Sequence, residues 1–379
     1  MEPKLEALRG RSVTQQPKLY VALELSDAKW RMVLSDGQRR SEHVVAGGDG
    51  QAVLERIERA RARFGLPVGV EVVSCYEAGR DGFWLHRWLE GHGVRSLVVD
   101  SSSIEVNRRA RRAKTDRLDA GKLLGLLLRY GAGEQRVWSV LRVPTLEQED
   151  ARRGFRERDR LKQERGAHRG RIKSLLVLHN LRLGRLGGAA WERRLQELGV
   201  PEELRAELIR EAERLALVDK QLRGIEAQQA RACAARAPAP TPQERQMGAL
   251  RRLAGIDLIG AWGLVRELLG WRRFRNRREL AASVGLVPSP YNSGDSEREQ
   301  GISKVGNGRL RALLVELAWS WLRYQPESAL AQWYARRFAH GGKRLRRIGI
   351  VALARRLLIA LWRYVEHGLI PEGAKLKAA

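Results

Sequence analysis

The stretch Leu19-Tyr-Val-Ala-Leu-Glu-Leu25 decides how the N-terminal part of the chain is interpreted. It is short, almost entirely apolar and rich in residues that favour strands, so it predicts a buried β-strand. Two further β-like runs follow at 30–34 and 43–46. Because only short connections separate the three runs, they predict a small antiparallel meander.

After this meander the sequence changes to strand-like runs that alternate with helical patterns. Apolar runs lie at 68–75 and 94–99, and helical patterns lie at 51–64, at 83–90 and from Thr115 onward. Strands that alternate with helices usually pair in parallel. The order therefore predicts an α/β domain with a ribonuclease-H-like sheet, as one of several mixed α/β possibilities.

The charge of the chain indicates the class of its partner. The 379 residues include 71 Lys and Arg against 44 Asp and Glu, which gives a net charge of +27. Such an excess repels a compact fold unless a polyanion is present, and Arg binds phosphate through a bidentate fork. Hydrophobic residues make up 43% of the chain, which is enough for folded domains. We therefore expect a folded protein that binds nucleic acid.

The cysteines and the apolar segments argue against other classes of protein. Cys75 and Cys233 are the two cysteines, and they lack the spacing of a disulfide framework or a zinc site. Residues 1–20 contain no apolar core for a signal peptide, and two arginines interrupt the apolar run at 348–362. These features predict a cytoplasmic protein without a membrane-spanning segment.

A charged helical segment is predicted over 141–236. Between 151 and 175, ten Lys or Arg stand against three acids, which predicts a solvated helix or a helix laid along a polyanion, and the excess favours the second. The apolar positions of the following helix are Leu204, Leu208, Leu215, Val218, Leu222 and Ile225. Spaced by threes and fours apart from the polar Glu211, they fit an antiparallel or intermolecular coiled coil that joins a dimer or tetramer. A helix packed on its own domain fits them equally well.

The C-terminal part, over 243–372 after a Pro-rich linker at 237–242, is predicted to be all-α. Leu253-Ala-Gly-Ile-Asp-Leu-Ile-Gly260 resembles the hairpin of a helix-hairpin-helix, in which backbone amides at a helix N-terminus face a phosphate. A plain turn between two helices explains the same residues equally well. Between 343 and 363 there are seven Lys or Arg and no acid, which fits a solvated amphipathic helix or a nucleic-acid contact.

Four acids of the N-terminal domain are candidate metal ligands. Glu24 lies inside the first strand, where a carboxylate is costly unless it is paired or binds a cation. Glu77 follows a buried strand, at the end where α/β sheets bind ligands. Asp116 and Asp119 begin a helix and share one face of it. One or two Mg²⁺ ions would hold all four acids in the charged form, so the set predicts a Mg²⁺ site.

Two sets of motifs resemble one known family. Tyr76-Glu-Ala-Gly79 and Lys114-Thr-Asp-Arg-Leu-Asp-Ala120 resemble the DEDD-type transposases of bacterial insertion sequences, which include RNA-guided bridge recombinases and are related to pilin-gene invertases. The C-terminal transposase domain of that family is resembled by Phe274 with Leu280-Ala-Ala-Ser-Val-Gly-Leu-Val-Pro288, Asn292-Ser-Gly294, Gly301-Ile-Ser-Lys304 and Gly306-Asn307 with Leu310-Arg311. The likeness therefore covers both ends of the chain in the expected order.

The resemblance implies an architecture. It implies a RuvC-like nuclease domain over 18–140, a coiled coil within 141–236 that mediates assembly, and a helical transposase domain over 243–372. The serine of that last domain, proposed to attack the DNA backbone, matches Ser293.

The resemblance also implies a reaction. Glu77, Asp116 and Asp119 match the second, third and fourth acids of the family, whereas Glu24 departs from the pattern because the first acid is usually Asp. The implied reaction is Mg²⁺-dependent cleavage and exchange of DNA strands through a transient phosphoserine link. Several subunits and a structured guide RNA would take part.

Basic and polar residues near these motifs are predicted to contact nucleic acid. They are Arg108, Arg109, Arg111, Arg112, Lys114, Arg152, Arg153, Lys173, Lys304, Asn307 and Arg311. Two other functions stay open at this point. One is a site-specific DNA invertase of the same chemistry, which differs in where its target sites lie. The other is a nucleic-acid-binding remnant with a damaged site, which the departure at Glu24 would favour.

Overall fold

The apolar stretch near the start of the chain forms strand β1 (Lys18–Leu25), which is paired on both sides in the computed structural model. The structure describes residues 16–79, 81–104, 116–234, 240–293 and 296–377. The chain divides into two units, of which the first ends at Val143 and the second begins at Pro144.

The first unit contains a five-stranded sheet with the strand order β3-β2-β1-β4-β5. β2 (Lys29–Ser35) and β3 (Arg40–Ala46) form an antiparallel meander with β1. β4 (Glu71–Glu77) pairs in parallel with β1, and β5 (Val94–Val99) pairs in parallel with β4. The predicted mixed α/β sheet is therefore confirmed, while its classification as RuvC-like stays a prediction.

Three helices complete the first unit. α1 (Gly50–Arg63) connects β3 to β4, and α2 (Trp84–Gly91) connects β4 to β5, as parallel pairing requires. α3 (Asp116–Gly131) packs on one face of the sheet and buries five apolar residues there, Ala120, Leu123, Leu124, Leu126 and Leu127.

Two contacts with the sheet fix the direction of α3. Near the end of the helix, Gly131 approaches Tyr20 so closely that a Cβ atom would lie 2.6 Å from the Tyr20 hydroxyl. Earlier in the helix, the Leu123 carbonyl oxygen is 3.9 Å from Cys75 Sγ. Tyr20 lies near the start of β1, and Cys75 lies near the end of β4. α3 therefore runs antiparallel to both strands and begins at their carboxyl ends.

The second unit is mainly helical. Its helices are α4 (Leu146–Asp150), α5 (Arg153–Val177), α6 (Trp191–Glu197), α7 (Glu202–Ala234), α8 (Pro242–Arg252), α9 (Leu258–Leu264), α10 (Arg277–Ser283), α11 (Gly308–Tyr324), α12 (Ala329–Tyr334) and α13 (Lys343–His367). π-helical turns at Val265–Leu269 and Ala335–Ala339 follow α9 and α12.

A β-hairpin interrupts these helices. It is formed by β6 (Pro288–Ser293) and β7 (Ser296–Ile302) and is called the serine hairpin below. The prediction of an all-α C-terminal domain is therefore wrong at this point. Pro288 and Pro290 explain the difference, because proline breaks a helix interior, whereas a two-stranded ribbon tolerates it.

α5 and α7 pack against each other in antiparallel directions within one chain. Leu161 shares a buried cluster with Val218 and Leu222, and Ile172 shares another with Leu208. Positions later in α5 thus meet positions earlier in α7. The apolar positions of α7, spaced by threes and fours, therefore pack against α5 of the same chain. A coiled coil between subunits stays a prediction.

Glu211, the polar residue in that apolar spacing, is buried in the helix pair. Its carboxylate is 2.7 Å from His168 Nδ1 and 2.8 Å from Arg171 Nη1 on α5, and 2.7 Å from Arg214 Nη1. Burial alone would raise the carboxyl pKa, but the hydrogen bonds from His168 and Arg171 outweigh it and lower the pKa to about 2. Glu211 therefore stays charged, and a shift of α5 along α7 would break its hydrogen bonds to His168 and Arg171 and leave the buried carboxylate with Arg214 of its own helix.

The start of α5 is anchored in the core of the second unit. Phe155 is buried in that core, and a Cβ atom at Gly263 would lie 2.6 Å from its ring carbons. Arg156 Nε and Nη2 donate to the two carboxylate oxygens of buried Glu267 at 2.7 and 2.9 Å. The hydrogen bonds to Glu267 raise the Arg156 pKa, so this bidentate pair is stably charged.

The turn that resembles a helix-hairpin-helix connects α8 to α9. Gly255 has a φ of +86°, which favours glycine, and Asp257 caps α9. The Asp257 carboxylate accepts from the Gly260 N–H at 2.7 Å. The chain's own carboxylate thus occupies an amide that a phosphate would use, and the structure favours the plain helix-connecting turn.

α13 carries the apolar run that ends the second unit. Its buried face includes Leu353, Leu357 and Leu361, and Arg355 and Arg356 lie between these positions. Within the ranges that the structure describes, no helix combines the length and the apolarity needed to cross a membrane.

Replacing Glu211 by Gln should destabilise the helix pair, because it removes a buried charge that three donors share. The pKa of Glu211 is lower in the folded chain than its ordinary 4.5, so its contribution to stability is complete above about pH 4.5 and is lost as the pH falls toward about 2. The fall in pKa from 4.5 to about 2 corresponds to on the order of 3 kcal/mol in the free energy of unfolding at neutral pH.

Thermal unfolding followed by circular dichroism at neutral and acid pH measures this effect. Glu213→Gln, at an exposed position of the same helix, is the control and should melt like the parent chain. Equal melting temperatures for the two variants at neutral pH would contradict the role given to Glu211.

Candidate active site and nucleic-acid interface

Glu24 and Glu77 lie side by side at the carboxyl ends of two parallel strands. The pairing of β1 with β4 aligns Leu23 with Tyr76, and the two glutamates are the next residues along each strand. Neighbouring strands lie about 4.8 Å apart, so both carboxylates belong to one edge of the sheet. Glu24 is half-buried and Glu77 is exposed.

The helix α3 brings a third acid to this edge. Ala22 and Cys75 precede the two glutamates by two residues and lie in the core beneath α3, so the glutamates are on the same face of the sheet. α3 begins at that edge with Asp116, and Asp119 is half-buried in its first turn. Glu24, Glu77 and Asp119 therefore share one end of one sheet face. The side chain of Asp116 lies outside the described part.

This group of acids fits Mg²⁺ by its chemistry, because the ion takes carboxylate oxygens as ligands. Among the described residues, no three His, Cys, Asp or Glu side chains converge closely enough to hold a metal ion. The Mg²⁺ site, to which the sequence also assigns Asp116, therefore stays a prediction.

The sequence analysis missed one acid at the same edge. Asp100 directly follows β5 and is buried, and its backbone N–H donates to the Ser139 carbonyl oxygen at 2.9 Å. The sequence could have indicated Asp100, because it follows the apolar run at 94–99 directly. Glu77 was selected for the same reason, since it follows the apolar run of the preceding strand. Asp100 adds a carboxyl group to this end of the sheet.

Two acids near the end of β1, Glu24 and Asp27, are candidates for the first ligand of the predicted metal site. Glu24 is inside the strand, opposite Arg31 on β2. Asp27 is exposed in the connection that follows the strand. Gly47 holds that connection close, because a Cβ atom there would lie 2.4 Å from the Asp27 carbonyl oxygen. The strand therefore presents Glu24, and not Asp27, at the shared edge.

Ser293 is the last residue of β6, and its partner across the serine hairpin is Ser296 on β7. The two residues that connect the strands, Gly294 and Asp295, lie outside the described part, as does the Ser293 side chain. A connection of two residues puts Ser293 next to the tip of the hairpin. Ser293 therefore ends a β-strand in a unit that is otherwise mainly helical.

Backbone contacts between two loops form the base of the serine hairpin. Three backbone hydrogen bonds of 2.8 to 3.2 Å join 283–287 to 303–307. Gly285 and Gly306 permit this approach, since a Cβ atom would lie 2.2 Å from the Val305 carbonyl oxygen at the first and 2.4 Å from the Ser283 carbonyl oxygen at the second. The glycines of the predicted motif therefore serve a close contact between two loops.

Two of the predicted nucleic-acid contacts take part in this base. Arg311 Nη1 donates to the carbonyl oxygens of Val284 at 3.0 Å and Lys304 at 3.1 Å. Asn307 Oδ1 accepts from the first backbone amides of α11 at 3.1 and 3.2 Å and caps that helix. Lys304 itself is exposed. Lys304 is therefore the residue of these three whose side chain is exposed for contact with a phosphate.

The positive charge of α5 is largely balanced within the second unit. At least seven of its basic residues lie within 4.0 Å of a carboxylate oxygen. The acids include Asp219 and Glu226 on α7 and Glu316 on α11. The structure therefore favours a helix packed on its own chain over a helix laid along a polyanion.

The remaining predicted contacts differ in their surroundings. Arg152 is 5% exposed, and its guanidinium lies 4.9 Å from the centroid of a Trp271 ring, so we assign it to packing. Arg153 and Lys173 are exposed on α5, and Arg153 is 3.2 Å from an Asp150 carboxylate oxygen. Five predicted contacts lie outside the described residues, namely Arg108, Arg109, Arg111, Arg112 and Lys114.

Proteins with similar sequences carry the names of insertion-sequence transposases. Residues 247–334, which include the serine hairpin and its base, match a family model described as "Transposase IS116/IS110/IS902 family". A Sinorhizobium fredii protein named "Putative transposase y4rJ" is 41% identical over 95% of this chain and 94% of its own length. The transposase for insertion sequence element IS1111A of Coxiella burnetii is 28% identical over 68% of this chain and 67% of its own length.

Proposed function

This chain belongs to the IS116/IS110/IS902 family of insertion-sequence transposases, and on that premise we propose that it cleaves and exchanges DNA strands by Mg²⁺-dependent chemistry through a transient phosphoserine link. The observation that carries the proposal is the identity of 41% to a transposase-named protein over 95% of the chain. The shared edge of Glu24, Glu77 and Asp119 supports the metal-dependent part.

The acidic edge is the proposed metal site. Glu24, Glu77, Asp116 and Asp119 would hold the ion through carboxylate oxygens. Bound there, Mg²⁺ would polarise a phosphate oxygen and offset the negative charge of the transition state. The chain's own part is to hold the carboxylates charged and in place, which the pairing of β1 with β4 and the start of α3 support.

Ser293 is the proposed nucleophile. Its Oγ forms a bond to the phosphorus of a DNA phosphodiester and releases its proton to solvent, while one sugar oxygen leaves and takes up a proton. A sugar hydroxyl of another strand then attacks the phosphoserine, which frees the serine and restores a phosphodiester. One phosphoester bond is exchanged for another in each step, so no energy-rich cofactor is needed.

Strand exchange requires several copies of the chain, because each broken strand occupies one serine. We propose an assembly of several subunits and a structured guide RNA that selects the target. The net charge of +27 supports binding of more phosphate than one duplex end presents.

Loss of an acid at the sheet edge should abolish strand cleavage and leave DNA binding nearly intact. Asp116→Asn and Glu24→Gln should each lower the cleavage rate at least about a hundredfold, since even outer partners of a metal site cost about 10–100-fold. Glu24→Asp should retain activity, because Asp also ligates Mg²⁺. The assay is cleavage of the element's junction DNA with Mg²⁺ and with a chelator.

Asp27→Asn is the matched control for these variants and should cleave like the parent chain. If Asp27→Asn abolished cleavage and Glu24→Gln did not, the metal site would have to be moved to Asp27.

Ser293→Ala should prevent any covalent link between protein and DNA. Ser296→Ala removes the hydroxyl of the facing residue on the same hairpin and should leave the link intact. Denaturing electrophoresis of the protein with labelled junction DNA measures the adduct. An adduct that persists in Ser293→Ala would assign the attack to another residue or to water.

The guide RNA makes a separate prediction. Protein purified from its host at low salt should carry a discrete RNA encoded beside its gene, and sequencing of the bound RNA measures this. Removal of that RNA by nuclease should stop recognition of the target DNA. Full target recognition by RNA-free protein would refute the RNA part of the proposal and leave the strand chemistry untouched.

A further inference from the structure

Five arginines surround one cavity in the second unit. The cavity has a volume of about 490 Å³ and lies among α10, α12 and α13. We call it the arginine pocket, after Arg277, Arg278, Arg355, Arg356 and Arg363. Nothing in the chemistry proposed above uses these residues.

The fold holds the arginines of α13 at the pocket. Arg355 and Arg363 are eight residues apart and Arg356 is adjacent, so they share one side of the helix. The other side of α13 is buried in the core through residues such as Leu357 and Leu361. The helix therefore cannot turn its arginines away from the pocket.

Among the described residues, no acid balances the charge of the arginine pocket. No carboxylate lines the cavity, and none of the five arginines forms an ion pair with another residue in the described ranges. α5 differs in this respect, because acids of α7 and α11 lie beside its basic residues. An unbalanced cluster of this kind attracts a polyanion.

One arginine of the pocket is oriented by an aromatic ring, and another has a buried donor without a partner among the described residues. The Arg356 guanidinium lies 4.0 Å from the centroid of a Trp333 ring, which fixes its orientation. Burial, together with the charges of Arg337 and Arg355, lowers the Arg356 pKa, so a bound anion would relieve repulsion at this point. Arg355 Nε is buried and has no hydrogen-bond partner among the described residues.

The spaces between the arginines of the pocket are lined by apolar side chains. Leu330, Ile359 and Ala360 are its other lining residues, and all three are apolar. A ribose 2′-hydroxyl needs a polar partner, and that hydroxyl is what lets a protein tell RNA from DNA. These three side chains offer no polar partner to a 2′-hydroxyl, and the deoxyribose of the proposed DNA substrate needs none.

We propose that the arginine pocket binds the sugar-phosphate backbone of duplex DNA. The inference rests on the proposed function only in taking DNA as the substrate, and it does not depend on Mg²⁺ or on Ser293. Guanidinium groups bind phosphate oxygens in a bidentate manner, and such contacts hold a duplex without reading its sequence. The pocket would thus position the DNA, while other parts of the complex select it.

The test is the salt dependence of DNA binding by the full chain in the presence of a chelator. Fluorescence anisotropy of a short labelled duplex gives the dissociation constant at about 50 to 200 mM salt. The combined variant Arg278→Gln, Arg356→Gln, Arg363→Gln should lose about 0.9 in the slope of log K against log salt for each phosphate contact removed, or about 2.7 in all. Over this range the parent chain should lose about 40-fold more affinity than the variant.

A matched variant removes the same charge elsewhere. Arg193→Gln, Arg210→Gln, Arg231→Gln changes three exposed arginines of α6 and α7 and should leave the slope close to that of the parent chain. Replacement of the same three pocket arginines by Lys should restore most of the slope. Circular dichroism of the Gln and Lys variants shows whether each keeps its fold.

Equal slopes for the pocket variant and the matched variant would overturn the proposal. A loss of binding confined to duplex RNA, with DNA unaffected, would overturn it as well. Because the assay contains no divalent metal and measures no cleavage, it separates this inference from the strand chemistry. A chain that binds DNA through the pocket but never cleaves it would refute the proposed chemistry alone.

Discussion

The double pairing of β1 is the constraint on which the first unit depends. β1 is hydrogen-bonded to β2 on one side and to β4 on the other, so its register cannot shift without breaking two sets of bonds at once. A shift by one residue would also turn its apolar side chains to the opposite face. The position of Glu24 beside Glu77 follows from this register, because both are the first residues beyond an aligned pair. The metal-dependent function proposed for these acids would thus rely on the backbone pairing that sets them side by side.

The second unit depends on charges that are distant in sequence. α5 carries a large local excess of Lys and Arg, yet acids on α7 and α11 lie beside many of these groups. Glu211 and Glu267 are buried, and each bonds to residues of α5, which ties the helix pair together and to the core. The arginine pocket between α10 and α13 has no such partners in the described part of the chain. The two basic regions look alike in the sequence and differ in their tertiary surroundings. We therefore propose a nucleic-acid contact for the pocket and assign a structural role to most of α5.

The serine hairpin shows how the transposase family motif works as structure. Gly285 and Gly306 let two loops approach backbone to backbone, and Arg311 bonds to the carbonyl oxygens of both. The sequence analysis gave Arg311 a role at a phosphate, because a basic residue near a candidate nucleophile commonly neutralises charge. Its hydrogen bonds assign it instead to the base that positions the hairpin. A motif residue can thus act on a reaction through the placement of a loop, without contact to the substrate.

The sequence by itself determined the mixed α/β sheet, the long helices and the transposase family, because apolar periodicity, charge and short motifs are local properties of the chain. It also selected Glu24 and Glu77, since each stands at a fixed place on a strand. It missed the serine hairpin, where Pro288 and Pro290 exclude a helix, and it missed Asp100 after β5. Only the tertiary structure decided which charges are balanced and which are free, and that α3 runs back over the sheet to begin beside the two glutamates. Those outcomes depend on segments that are far apart in the chain, and no local pattern records which of them will meet.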